Sequence, residues 1–164
     1  MTPVAREITL KTQTATFMER ALEEAGLAGQ RGEVPVGAVL VNGNEVVASA
    51  GNRTVELNDP TAHAEILVIR EACEKLSSQR LVDFDLYVTL EPCAMCAAAI
   101  SFARIRRLYF GASDPKSGGV LHGGRFFSQS TCHHAPDIYS GIGEVEAARL
   151  LTEFFKMRRS RAED

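Results

Sequence analysis

Leu86-Tyr87-Val88-Thr89-Leu90-Glu91-Pro92-Cys93-Ala94-Met95-Cys96 changes character halfway along. Its first five residues are apolar, β-branched or aromatic and read as a buried strand. Glu91-Pro92 punctuates that strand, and Ala94 to Ala103 has the composition of a helix. Cys93 and Cys96 therefore open a helix directly after a buried strand. Three residues apart they share a face, and the positive end of the helix dipole favours their thiolate forms.

Working outward, the same alternation repeats. Upstream, Val36 to Val41 and Val46 to Ala50 flank Asn42-Gly43-Asn44, a strong turn signal, and predict an antiparallel hairpin. Asp59-Pro60-Thr61 is a helix start signal. Ile66, Ile69 and Ala72 follow at helical spacing to about Leu76, with His63 in the first turn. An earlier helix is predicted over Thr14 to Gly26, with Phe17, Ala21 and Ala25 on one side. Residues 1–13 read as a flexible lead-in. Downstream, Leu108 to Gly111 is a fourth strand, Ala112 to Pro136 is glycine-rich without periodicity, and Asp137 to Ser140 holds a short fifth strand. Gly143 to Arg159 closes the chain as a helix with Val145, Ala148, Leu151, Phe154 and Phe155 as its apolar stripe. Alternating strands and helices imply a sheet covered on both faces, and 164 residues suit one domain, 1–164.

His63 and Glu65 in the upstream helix pair chemically with Cys93 and Cys96. One imidazole and two thiolates are three zinc ligands, which leaves a coordination position for a water, as in catalytic sites. Such a zinc brings the pKa of its water down to about neutral, but it cannot move protons. A carboxylate beside it can, and Glu65 is the candidate. Spacing alone does not complete the geometry, because residues two apart on a regular helix point about 200° apart. Taken singly, Cys-x-x-Cys also fits a redox pair or a structural zinc, and His-x-Glu arises by chance.

A net charge of -3 argues against a protein that coats nucleic acid non-specifically. Local basic patches remain: Lys156, Arg158, Arg159 and Arg161 crowd the last helix, and Arg104, Arg106 and Arg107 lie between a helix and a strand. Complementing a helix dipole is their alternative role. The longest apolar stretches are too short to cross a bilayer, and residues 1–10 lack the pattern of a signal peptide, so a cytoplasmic, reducing location is expected, with no membrane partner. Cys73 and Cys132 are then free thiols. Cys132-His133-His134 does not have a zinc-site spacing, and His122 receives no role.

His63-x-Glu65 together with Pro92-Cys93-x-x-Cys96 is the signature of zinc deaminases. With Glu33-Val34-Pro35-Val36-Gly37-Ala38-Val39-Leu40, Asn52-Arg53, Asp59 to Ile66, Leu86 to Cys93 and Phe110-Gly111-Ala112, the chain resembles the bacterial tRNA wobble-adenosine deaminases of the cytidine-deaminase-like superfamily. The resemblance runs from about Phe17 to Arg159. It implies a three-layer α/β/α sandwich around a five-stranded mixed sheet, one Zn2+ per subunit, and a homodimer in which both subunits shape each site. It further implies hydrolytic deamination of adenosine at position 34 of a tRNA anticodon stem-loop. His63, Cys93 and Cys96 would hold the metal and Glu65 would shuttle protons. Asn52 would contact the base, and the Ala64 N–H would face the oxygen near zinc. Glu33, Val34 and Pro35 would wall the pocket. Asp114, Lys116, Phe154, Phe155, Arg158 and Arg159 would meet the anticodon, although packing against its own domain is an equal reading of each phenylalanine.

Two other readings stay open. A guanine or cytosine deaminase acting on free bases or nucleosides would share the metal cluster, and a zinc-stabilised RNA-binding module would lack the chemistry.

Overall fold

A computed structural model describes residues 3–163. The elements run α1 (Pro3–Gln30), β1 (Gly37–Asn42), β2 (Glu45–Gly51), α2 (Ala64–Leu76), β3 (Phe84–Leu90), α3 (Ala94–Ala103), β4 (Arg107–Ala112), a short 3-10 turn (Phe126–Ser128), β5 (Asp137–Tyr139) and α4 (Glu144–Ala162). One five-stranded sheet has the order β2-β1-β3-β4-β5. β1 pairs antiparallel with β2 and β3, whereas β3, β4 and β5 are parallel, so the sheet is mixed.

Strand alternation sorts side chains into two apolar layers. Ala38, Leu40, Leu86, Val88, Leu108 and Phe110 meet Ala64, Val68, Ala72, Ala97 and Ile100 of α2 and α3 on one face. Val39, Val41, Tyr87 and Tyr109 meet Phe17, Met18 and Ala21 of α1 on the other. Both faces are covered, which is why the central strands read as continuous apolar runs rather than alternating ones. β1 lies so close to α1 that a Cβ on Gly37 would overlap the Ala21 carbonyl.

Three expectations need correction. Of the lead-in expected over residues 1–13, Met1 and Thr2 lie outside the described residues, and α1 begins at Pro3 instead of near Thr14. Proline suits the first turn of a helix, and Gln13 Nε2 donates to Asn44 Oδ1 at 2.7 Å, tying this part of α1 to the hairpin turn. The stripe on α4 holds at Leu151, which packs against the core, but not at Val145, which is 84% exposed, and the fully buried residue is Ala147. His63, expected in the first turn of α2, instead precedes the helix as its cap.

Parallel β3 and β4 end on one edge of the sheet, where antiparallel β1 begins. Gly37 N donates there to Thr89 Oγ1 at 3.1 Å. This carboxyl-terminal edge is where open α/β sheets place their ligand sites. The basic run Arg104, Arg106 and Arg107 lies at the opposite edge. There Arg106 is held by Asp85 through two hydrogen bonds of 3.0 and 2.9 Å. Among the described residues no helix is long and apolar enough to cross a membrane.

Candidate active site

His63 and Cys93 occupy equivalent places, each the extended residue before a helix, with φ,ψ of -72°,151° and -70°,174°. An extended cap is not bound by the helical period, so the angle that would separate residues two apart on a helix does not apply to His63 and Glu65. The imidazole turns toward α3 while Glu65, in the first turn of α2, reaches the same space. Cys96 follows one turn into α3 and is buried.

His63 Nδ1 stands 3.5 Å from Cys96 Sγ and 3.7 Å from Cys93 Sγ. Zinc–sulfur and zinc–nitrogen bonds of about 2.3 and 2.0 Å at a tetrahedral angle put sulfur and nitrogen about 3.5 Å apart. The three donor atoms lie within 4.8 Å of one another. They fit a zinc ion in spacing and chemistry. The Cys93 thiol is held down to about 4, chiefly by a hydrogen bond from Cys96, against the upward push of burial and with help from His63. The same contact pushes the Cys96 thiol up, and a metal bound by both sulfurs would release the proton they share.

Glu65 is buried, and burial pushes its carboxyl up to about 6, opposed by a backbone hydrogen bond and by the charge of His63. Its Oε2 has no hydrogen-bond partner among the described residues. A buried carboxylate oxygen left unpaired beside three metal-ligand atoms is an acceptor waiting for a polar group between them.

The substrate side is a pocket of about 200 Å3 lined by His63, Glu65 and Cys93 together with Val34, Asn52, Thr54, Leu90, Glu91, Asp114 and Ser117. It has room for one base. A larger groove of about 780 Å3 adjoins it, sharing Val34, Leu90, Asp114 and Ser117 and adding Lys116, Phe155, Arg158 and Arg159. Apolar and cationic groups meet here along one side of α4.

Other residues singled out in the sequence are placed differently. The Ala64 N–H donates to Asn52 Oδ1 at 2.8 Å. That bond fixes the amide orientation and leaves the Nδ2 hydrogens as the donors Asn52 offers elsewhere. Glu33 does not line the pocket. Its carboxylate accepts from Val55 N, Glu56 N at 2.9 Å and Thr54 Oγ1 at 3.2 Å, and so holds the 54–56 turn in place behind the wall. Pro35 is buried beside Gly29. Phe154 turns away from the groove, with the Arg158 guanidinium 5.4 Å over its ring, while Phe155 remains 43% exposed within it. Cys132 and His134 clip their loop to the core: Cys132 Sγ contacts Ser101 Oγ, and His134 Nε2 donates to the Ile105 carbonyl.

Sequence reasoning missed Thr54, Ser117 and Glu91. Thr54 and Ser117 sit in irregular segments that have no periodicity to orient them, and Glu91 appeared only as punctuation before proline.

Comparison with known proteins agrees with this geometry. Residues 12–159 match the model of the MafB19-like deaminase family. Over 143 residues the chain is 68% identical to the tRNA-specific adenosine deaminase of Agrobacterium fabrum, covering 87% of this chain and 94% of the relative. A solved structure from a study of A-to-I editing by tRNA:A34 deaminases at the wobble position of transfer RNA superposes with a TM-score of 0.82 at 69% identity, covering 83% of this chain and 99% of that one. The guanine deaminase of Nitrosomonas europaea shares the fold at 22% identity, with a TM-score of 0.75 over 85% of this chain and 83% of its own. A fold and sequence shared at this level place the chain among the tRNA-specific adenosine deaminases, within the MafB19-like deaminase family.

Proposed function

We propose that this chain is a zinc-dependent hydrolase that converts adenosine to inosine at the wobble position, 34, of a tRNA anticodon stem-loop, with release of ammonia. The observation that carries this reading is the unpaired, buried Glu65 Oε2 beside the triangle of His63 Nδ1, Cys93 Sγ and Cys96 Sγ. Family membership and the adjoining cationic groove, with Phe155 exposed in it, support an RNA substrate over a free base.

A bound zinc supplies hydroxide at neutral pH by lowering the pKa of its water. The chain's own groups do the rest. Glu65, with its carboxyl pushed up to about 6, is suited to take a proton and give it back near neutrality. It delivers that proton to N1 of adenine as water attacks C6, and a second one to the departing amine. Asn52 offers Nδ2 to a purine acceptor while its oxygen holds the start of α2. Val34 and Leu90 give the base an apolar seat. The target nucleotide must leave its stack, a modest cost in an anticodon loop where it is already unpaired.

The described chain serves as one catalytic domain, in the cytoplasm where tRNA is found, and pairs as a homodimer. Phe102, 72% exposed on α3, and Leu121, 40% exposed, supply apolar surface for a second copy. Single-turnover deamination of an anticodon stem-loop tests the activity: wild type forms inosine and Glu65→Ala does not. Inosine formed equally by both proteins would remove Glu65 from the reaction.

A further inference from the structure

We propose that Glu91 is a positioning residue that fixes the loop after β4, residues 113–122, at the mouth of the pocket. Its side chain is fully buried, with 0% exposure. Oε1 accepts from the Asp114 N–H at 3.1 Å and from His122 Nδ1 at 2.7 Å. Oε2 accepts from the N–H groups of Val120, Leu121 and His122 at 3.3, 3.1 and 3.2 Å. A single carboxylate thus gathers both ends of the loop. Bonds to a charged acceptor are about twice as strong as neutral ones, and a buried carboxylate without them would be costly to keep.

Steric fit reinforces the hydrogen bonds. A Cβ on Gly118 would overlap Glu91 Oε2 and stand 2.5 Å from the Asp114 carbonyl. One on Gly119 would stand 2.5 Å from Ala94 N, at the start of α3. The loop is therefore pressed onto the turn between β3 and α3. From that position it presents Asp114 and Ser117 to the pocket, and these two with Lys116 to the groove. Asp114 Oδ1 in turn accepts from Lys116 N and Ser117 N, so the whole tip is ordered from its base. Glu91 borders the pocket, but both its carboxylate oxygens are taken up by the loop's donors. It acts by setting where the loop meets RNA, and this inference rests on the tRNA reading of the groove.

Two variants test it from opposite sides. Glu91→Gln puts an NH2 group among N–H donors; Gly118→Ala keeps the carboxylate and pushes the loop off it. Four quantities are read: amide exchange, zinc content, and kcat and KM on an anticodon stem-loop. The expected result is lost protection confined to 113–122, wild-type zinc content, and a KM raised about tenfold or more with kcat within about threefold. Should Glu91→Gln not fold, Gly118→Ala carries the test alone. Unchanged exchange over 113–122 overturns the proposal whatever the activity. So does a wild-type KM despite a loosened loop, and so does a loss of zinc or kcat with KM unchanged. Failure of the wild type to form inosine would sink the tRNA reading instead, and the exchange measurement would still decide whether Glu91 holds the loop.

Discussion

The side-chain oxygen of Asn52 accepts the backbone N–H of Ala64 at 2.8 Å, so the residue that follows β2 holds the first N–H of the helix carrying Glu65. One amide thus joins the hairpin, the start of α2 and the pocket. Asn52→Ala leaves a buried N–H without an acceptor, a loss of about 1–3 kcal/mol. Asn52→Asp keeps the acceptor at a helix N-terminus, where negative charge is favoured, but removes the donor. The melting temperature is expected to fall for Asn52→Ala and to hold for Asn52→Asp. In kcat/KM both variants should lose at least about fivefold, the worth of one hydrogen bond. Full activity in Asn52→Asp would show that the donor is not used.

Glu65 trades stability for chemistry. A buried carboxylate oxygen without a partner is destabilising, so Glu65→Gln is expected to melt at or above the wild-type temperature in metal-free protein. Its single-turnover rate should fall by about 10²–10⁴, the usual contribution of a positioned proton carrier. A large drop in stability with the rate intact would reverse the assignment.

Metal removal is expected to leave the fold standing. Apolar layers on both faces of the sheet hold it independently of the three ligands. Chelation, Cys93→Ser and Cys96→Ser should each abolish stoichiometric zinc and activity while far-ultraviolet circular dichroism persists. Added zinc should raise the wild-type melting temperature progressively, as mass action requires, and leave both variants where they are. Unfolding on chelation would identify the site as structural.

The turn before His63 carries a pH signature. Asp59 Oδ1 accepts from Thr61 Oγ1 at 2.7 Å and Thr61 N at 2.8 Å, and these bonds, the side-chain one first, hold its carboxyl below the ordinary value. A group depressed in the folded state adds stability above its unfolded pKa and loses it as pH falls through the folded one. An NMR titration should place the Asp59 midpoint below about 3.9, the ordinary aspartate value, and Thr61→Val should move it upward. An ordinary midpoint in the wild type would mean that the turn does not hold in solution.

Much of the fold was legible in the sequence because both faces of the sheet are covered. The apolar runs at β1, β3 and β4 and the turn at Asn42-Gly43-Asn44 stood out without knowledge of their partners. The ligand types and their order were legible too, since thiolate and imidazole are the donors zinc selects. The way Glu65 joins His63 was not, because it depends on an extended backbone at residue 63 that helical spacing cannot express. Nor was the use of Glu33 and Glu91. A buried carboxylate that collects loop N–H groups leaves no periodic trace, and its partners at 54–56 and 114–122 lie far along the chain. The α4 stripe misled in part for a related reason: Phe155 and Val145 follow the helical period but border a groove or solvent, whereas Leu151 and Ala147 pack inward.

Incubating the purified, zinc-loaded protein with total tRNA and locating inosine by sequencing is the most direct test. Adenosine should be read as guanosine at the wobble position of an anticodon and nowhere else, and the signal should vanish with Glu65→Ala. Unedited tRNA, alongside ammonia released from free guanine or cytidine by the same preparation, would contradict the account.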